Sequence, residues 1–183
     1  MAGQASGRLH NTGTGPDNMA GPLCYRMTGI VPMIIREDDI TDLRIVALLG
    51  EHLEHMHSIT PAESVHALDI DELRGADVTF WSAWEEDELL GCGALQALDA
   101  ASGEIKSMRT VVRWQGRGVG SAILDRILAE ARQRRYRRLY LETGSMAEFA
   151  PARALYERYG FRYREPFGDY VEDPNSVFMT KAL

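Results

Sequence analysis

The chain has 183 residues, 45% hydrophobic and 26% charged, with a net charge of −7. This is ordinary for a globular protein with a real core, and the acidic balance argues against a general nucleic-acid binder, which must neutralise phosphates. No apolar run approaches the ~20 residues of a membrane helix, and residues 1–32 lack the basic start and apolar stretch of a secretory signal. The expectation is a cytoplasmic protein with neither nucleic acid nor membrane as partner. Cys24 and Cys92 are its only cysteines, so no disulfide framework or zinc-thiolate motif is expected.

Residues 1–22 are rich in Gly, Thr, Asn and Pro and show no apolar period. Residues 1–32 are therefore expected to be a disordered extension or the product of an alternative upstream start, and residues 33–183 the domain. Met33–Arg36 reads as a first strand. Asp38–Asp42 offers N-caps for a helix with Leu43, Val46, Leu49, Leu53 and Met56 along one stripe. That helix ends among His52, His55 and His57, with His66 beyond. His55 and His57 fall on different helix faces and no HExxH occurs, so they read as solvated and no metal is expected. A second helical piece opens at Pro61 and ends near Gly75. Val78–Trp84 and Leu89–Leu98 form a hairpin about the acidic turn Glu85–Glu88.

The next strand, Glu104–Val112, should alternate Ile105, Ser107, Arg109 and Val111 on one face with Lys106, Met108, Thr110 and Val112 on the other. It enters a turn with glycines at 116, 118 and 120. A helix then carries Val119, Ala122, Ile123, Ile127, Leu128 and Ala131 at helical spacing. Strand, glycine turn and helix start in succession can bind a phosphate, because the backbone comes close and several N–H groups face the anion. The third glycine comes too early for the dinucleotide fingerprint, and Gly120-Ser121 lacks the Walker lysine. What stands is Gln115-x-x-Gly118-x-Gly120. Five arginines between 132 and 138 read as a solvated helix end. Leu139–Thr143 is a short strand, Pro151 lies near the start of a helix through Tyr159, and Gly160 caps it. Phe161–Arg164 and Val177–Leu183 are the last strands. The order β, α, α, β, β, β, α, β, α, β, β predicts a mixed α/β (α+β) fold.

Two motifs carry a resemblance. Gln115-Gly116-Arg117-Gly118-Val119-Gly120 resembles the acetyl-CoA loop of the GNAT N-acetyltransferase superfamily. Ala152-Arg153-Ala154-Leu155-Tyr156-Glu157-Arg158-Tyr159-Gly160-Phe161 resembles that family's A-x-x-L-Y-x-x-x-G-F helix. The stretches EIKSMRT, LETGS and PFGDYVEDPNSVFM are similar to a bacterial, YsnE-like branch. The resemblance spans residues 33–183 and implies a three-layer sandwich with a central, mostly antiparallel twisted sheet flanked by helices.

The resemblance also implies an acetyl-CoA-dependent N-acetyltransferase in which acetyl-CoA is a cosubstrate. Residues 116–121, Gly116, Arg117, Gly118, Val119, Gly120 and Ser121, would hold the pyrophosphate beside Gln115. Met108, Arg109 and Thr110 would pair with the pantetheine arm through their main chain. Glu142, directly or through water, would take the proton of the attacking amine, and Tyr156 would protonate the departing thiolate. Some of the front histidines would line the acceptor pocket, and the arginine run could instead meet the CoA 3′-phosphate. Where many members carry an asparagine seven residues before the tyrosine, this chain has Phe149, leaving that contact to Thr143, Ser145 or the main chain. A small-molecule amine is the expected acceptor, with a protein or peptide amine as the alternative, and the protein would be a monomer or homodimer. Outside catalysis, a silent CoA- or acyl-CoA-binding sensor would share these motifs, and a nucleotide-binding or interaction domain is the third class.

Overall fold

The computed structural model describes residues 23–25, 32–59, 61 and 68–183. In chain order it contains β1 (Leu23–Tyr25), β2 (Met33–Glu37), α1 (Leu43–Ile59), α2 (Ile70–Leu73), β3 (Val78–Glu85), β4 (Glu88–Asp99) and β5 (Ser102–Thr110). There follow α3 (Val119–Gln133), β6 (Arg138–Gly144), α4 (Ala150–Arg158), β7 (Arg162–Arg164) and β8 (Ser176–Ala182), with 3-10 turns at Val112–Trp114 and Ala147–Phe149. The expected order is present with one addition. β1 lies inside the stretch read as a disordered extension, yet pairs antiparallel with β2 through Leu23↔Ile35. Three residues are too few to show a period. The rest of that extension except residue 32, together with residues 62–67 of the piece opening at Pro61, His66 among them, lies outside the described residues.

The eight strands form one sheet, in the order β1-β2-β3-β4-β5-β6-β8-β7, and only the β5–β6 pair is parallel. Its two faces carry separate cores. On the first, α3 and Tyr156 of α4 pack on Trp81, Ala83, Leu95, Ile105, Leu139, Leu141 and Met179. On the second, Ile45, Leu48 and Leu49 of α1 and Leu73 of α2 pack on Phe80, Trp84, Leu89, Cys92 and Ala94. Helices on both faces of a central sheet make three layers. Fully burying each large aliphatic or aromatic side chain is worth about 1.5–3 kcal/mol.

The six-residue stripe expected on α3 is buried as read, with Leu124 added. The α1 stripe is buried as read only at Leu49 and Met56. Leu43 is 80% exposed, whereas Ile45, Leu48, Leu49 and Met56 are buried. Asp42 caps the helix by accepting from the Arg44 amide at 2.9 Å, which leaves Leu43 at the exposed first position. The buried row then passes through His52, four residues on from Leu48 and four before Met56.

Both long helices on the first face end in a left-handed residue that closes a paired turn. In α4, the Gly160 amide donates to Glu157 O (2.9 Å) and the Phe161 amide to Tyr156 O (3.0 Å), with Gly160 at φ 85°. The Phe161 ring meets the Tyr156 ring edge-on at 5.7 Å. The spacing of tyrosine, glycine and phenylalanine in the family helix therefore has a folding reason, since the cap fixes where the tyrosine stands. In α3, the Arg135 amide donates to Arg132 O and Tyr136 to Ala131 O, both at 2.9 Å, and here the left-handed residue is an arginine at φ 61°. An L side chain is disfavoured there. Gly160→Ala should lower unfolding stability by about 1 kcal/mol, while Arg135→Gly, at an exposed position, should raise it by a similar amount. Urea unfolding of the two variants beside the parent checks the opposite signs.

Candidate active site

The site begins where β5 and β6 part. Their parallel pairing runs from Ser102↔Arg138 to Ile105↔Leu141 and stops. β5 stays on β4 as far as Gly91↔Thr110, and β6 stays on β8 as far as Gly144↔Ser176. Beyond Ile105, the β6-facing edge of β5 has no strand partner among the described residues. Such an edge offers main-chain donors and acceptors to an extended ligand laid along it.

A bulge sets what the open edge carries. Cys92 opposes Arg109 and Ala94 opposes Lys106, so Ser107 and Met108 together face Gly93, with Ser107 at φ 50°. The strict alternation expected over Glu104–Val112 is therefore wrong beyond Ser107. Met108 faces α3, where a side chain at Gly93 would meet its sulfur and Ile123. Arg109 joins Lys106 and Cys92 on the α1 face. A one-residue bulge inverts every later side chain, and a single serine gives no sequence signal of it.

The glycine turn lies at the end of this edge. Gly116 and Gly118 have φ of 72° and 88°, and a Cβ at either would meet nothing within 4 Å, so this surface is open. Gly118 is the left-handed N-cap of α3. The amides of Gly116, Gly118, Val119, Gly120 and Ser121 donate to no acceptor among the described residues, and the first helical bond begins with Ala122 N to Gly118 O at 2.9 Å. Four of these donors cluster at the positive end of a 15-residue helix. That arrangement fits a diphosphate. Gln115 and Arg117 are exposed on its rim, with the Arg117 guanidinium 4.9 Å from the Trp114 ring centre. Thr110 Oγ1 and Leu155 approach Gly120 closely, tying the turn to β5 and α4. The arginine run lies at the opposite end of α3, about 22 Å away at 1.5 Å per residue. Arg134 there binds Glu130 and Thr79.

Glu142 and Tyr156 sit where the strands diverge. Glu142 is half-buried on β6 and accepts a hydrogen bond from Ser176 Oγ at 2.7 Å. Burial raises its carboxyl to about 7, the serine hydroxyl and the Lys106 charge pull it back, and Glu104 and Asp173 push it further up. Tyr156 is buried, and its phenol is pushed up first by burial and then by the Glu142 charge, which places the two groups in electrostatic reach. One group titrates near neutrality and the other holds its proton firmly.

Sequence reading missed the polar network beside this pair. Glu104 and Lys106 are both buried, and Lys106 Nζ lies 3.1 Å from Glu104 Oε1. The Tyr170 hydroxyl lies 2.7 Å from each of them. Tyr170, Phe167, Phe178 and Tyr140 stack over this face, closing the 165–176 loop onto the sheet. A separation of two residues between Glu104 and Lys106 was the available clue. Their burial depends on the loop folding back from more than sixty positions away. His52, read as solvated, faces inward. Its ring is held down to about 4 by burial first and then by the Arg109 charge, so it is neutral at pH 7. His55 and His57 are exposed.

Phe149 takes a packing role: its ring covers Gly144 so closely that a Cβ there could not fit. Of the polar groups that could replace the family's asparagine, Ser145 is engaged, its hydroxyl donating to Pro174 O at 2.7 Å. Arg153 reaches the carbonyls of Gly144 and Met146 at 2.6 and 2.9 Å and so ties α4 to the end of β6.

Comparisons with known proteins show the family to which this fold belongs. A profile of the acetyltransferase (GNAT) family matches residues 44–161. The chain is 58% identical over 151 residues to the Bacillus subtilis (strain 168) uncharacterized N-acetyltransferase YsnE, covering 82% of this chain and all of that one. It is 47% identical over 149 residues to the Escherichia coli (strain K12) uncharacterized N-acetyltransferase YedL, covering 81% of this chain and 94% of that one. A solved Klebsiella pneumoniae protein, to which acyl-CoA N-acyltransferase activity has been ascribed, superposes with a TM-score of 0.68. It shares 30% identity over 82% of this chain and 97% of that one. The chain belongs to the GNAT acetyltransferase family, in its YsnE-like branch, and is an acyl-CoA N-acetyltransferase.

Because Glu104 is buried, Lys106→Met should destabilise the fold by about 3 kcal/mol or more, by stranding a carboxylate without its cation. The double variant with Glu104→Gln should recover a large part of that loss, and denaturant midpoints of the single and double variants give the comparison.

Proposed function

We propose that the protein moves the acetyl group of acetyl-CoA to the amine of a small molecule by direct attack. The observation that carries this reading is the gap between β5 and β6, with a phosphate-ready turn at one end and the Glu142–Tyr156 pair beside it. In this reading the N–H groups of residues 116–121 receive the pyrophosphate. The main chain of Met108, Arg109 and Thr110 pairs with the pantetheine arm, and an amide there polarises the thioester carbonyl.

Glu142, directly or through one water, accepts a proton from the incoming ammonium. The freed nitrogen lone pair forms the C–N bond, the C–S bond breaks, and the sulfur takes a proton from the Tyr156 hydroxyl, while the second proton the nitrogen sheds in becoming an amide returns, directly or through water, to the Tyr156 oxygen. A carboxyl near neutrality suits the first transfer, and a phenol that keeps its proton suits the last. The enclosure of the Glu142 region by the 165–176 loop favours a small acceptor over a protein chain.

In thermal unfolding with acetyl-CoA, CoA, ATP and NADH in parallel, only the two CoA species should raise the transition. A ligand at 100 times its dissociation constant adds about 2.7 kcal/mol. An equal response to ATP or NADH, or none to CoA, would overturn the reading. For the chemistry, Tyr156→Phe should cut turnover at least tenfold with acetyl-CoA affinity nearly unchanged. A base must be ionised to act, so the parent's rate should rise with pH through about 7, and Glu142→Gln should lose that limb. A thiol-release pH series on the three proteins tests both roles.

A further inference from the structure

Arg109 is a cation in search of a partner. The bulge at Ser107 turns its side chain onto the α1 face, away from α3 and its phosphate turn. Its side chain forms no hydrogen bond or ion pair among the described residues, and its Nε is buried without an acceptor. Lys106, on the same face, is by contrast matched by Glu104 and Tyr170. Beside Arg109 stands His52, whose Nδ1 is likewise buried and unpaired. The third neighbour is Cys92, a buried thiol pushed up to about 12 by burial and therefore uncharged.

Stranding a guanidinium N–H and an imidazole nitrogen away from water is costly, and native proteins rarely keep such groups without an acceptor. A planar guanidinium fork matches a carboxylate in two parallel hydrogen bonds. A neutral imidazole adds one N–H donor and no competing charge.

We propose that Arg109 and His52 form a carboxylate-recognition subsite, so that the acceptor is an amine carrying its own carboxylate, an amino acid or short aminocarboxylate. The proposal rests on the acetyl-transfer reading above and names the class of acceptor. The subsite lies on the face opposite the phosphate turn, so the acceptor carboxylate and the CoA phosphates do not compete for one cation. Along β5 it is about two strand steps, roughly 7 Å, beyond Lys106, the residue whose charge reaches Glu142. A small zwitterion can therefore be held by its carboxylate while its amine faces the reacting carbonyl.

The test is a thiol-release assay of the full-length protein with acetyl-CoA. The acceptors are α-amino acids and ω-amino acids of increasing length, each beside its own carboxamide. The best acids should exceed their amides at least tenfold in kcat/KM. In Arg109→Gln that ratio should fall to near one through a higher KM for the acid, while the CoA-induced thermal shift persists and reports an intact fold and cofactor site. Arg109→Lys should retain part of the preference, because a point charge replaces the fork. Amides used as well as acids by the parent, a ratio undiminished in Arg109→Gln, or acetylation of none of the acids would each overturn the proposal. Loss of the CoA shift in the parent itself would instead remove the acetyl-transfer reading beneath it.

Discussion

The proposed site depends on two neighbouring strands ceasing to pair. β5 and β6 are parallel for four residues and then diverge, because each keeps its other neighbour: β5 stays with β4, and β6 with β8. A sheet normally satisfies every interior edge. Here an interior edge is left open, and the sheet holds together because α3 and α4 bridge the gap on one face. Tyr159 of α4 donates to Ser121 O at the start of α3 at 3.1 Å, and Arg153 grips the carbonyls that follow β6. Unpaired backbone in the middle of a fold is what an extended ligand can complete.

The bulge at Ser107 lets the open edge serve two faces at once. Without it, Arg109 would point toward α3, the side on which Ile123 and Ile127 pack over Gly93. With it, Met108 fills the apolar side against Gly93, and Arg109 joins the polar side with Lys106. The left-handed serine carries a cost in backbone energy of order 1 kcal/mol, accepted where the strand must turn a charge away from a core. Gly93 is needed for the same reason, since Met108 and Ile123 occupy the space a side chain there would take.

Chemistry and packing also share residues in the tyrosine helix. Tyr156 is held by a turn whose glycine must be left-handed and whose phenylalanine packs on its ring, so one short motif encodes a helix stop and a buried phenol. Around Glu142, burial raises the carboxyl to about 7, and the Ser176 hydroxyl and the Lys106 charge only partly offset it.

The sequence by itself determined much of this molecule: the order of its elements, the phosphate-ready turn, the buried stripe of α3 and the capped helix carrying Tyr156. Each is written in local spacing, because helix period, turn glycines and caps act over five residues or fewer. What only the tertiary structure decided depends on long-range pairing. The α1 stripe rotated past Leu43 to bury His52, the strand β1 appeared where composition suggested none, and the Ser107 bulge moved Arg109 to the other face. The Glu104–Lys106–Tyr170 network needed residues 104 and 170 to meet. None of these leaves a periodic mark, because each is settled by which strand or loop arrives opposite, and a shift of one residue in that meeting exchanges the buried face for the exposed one.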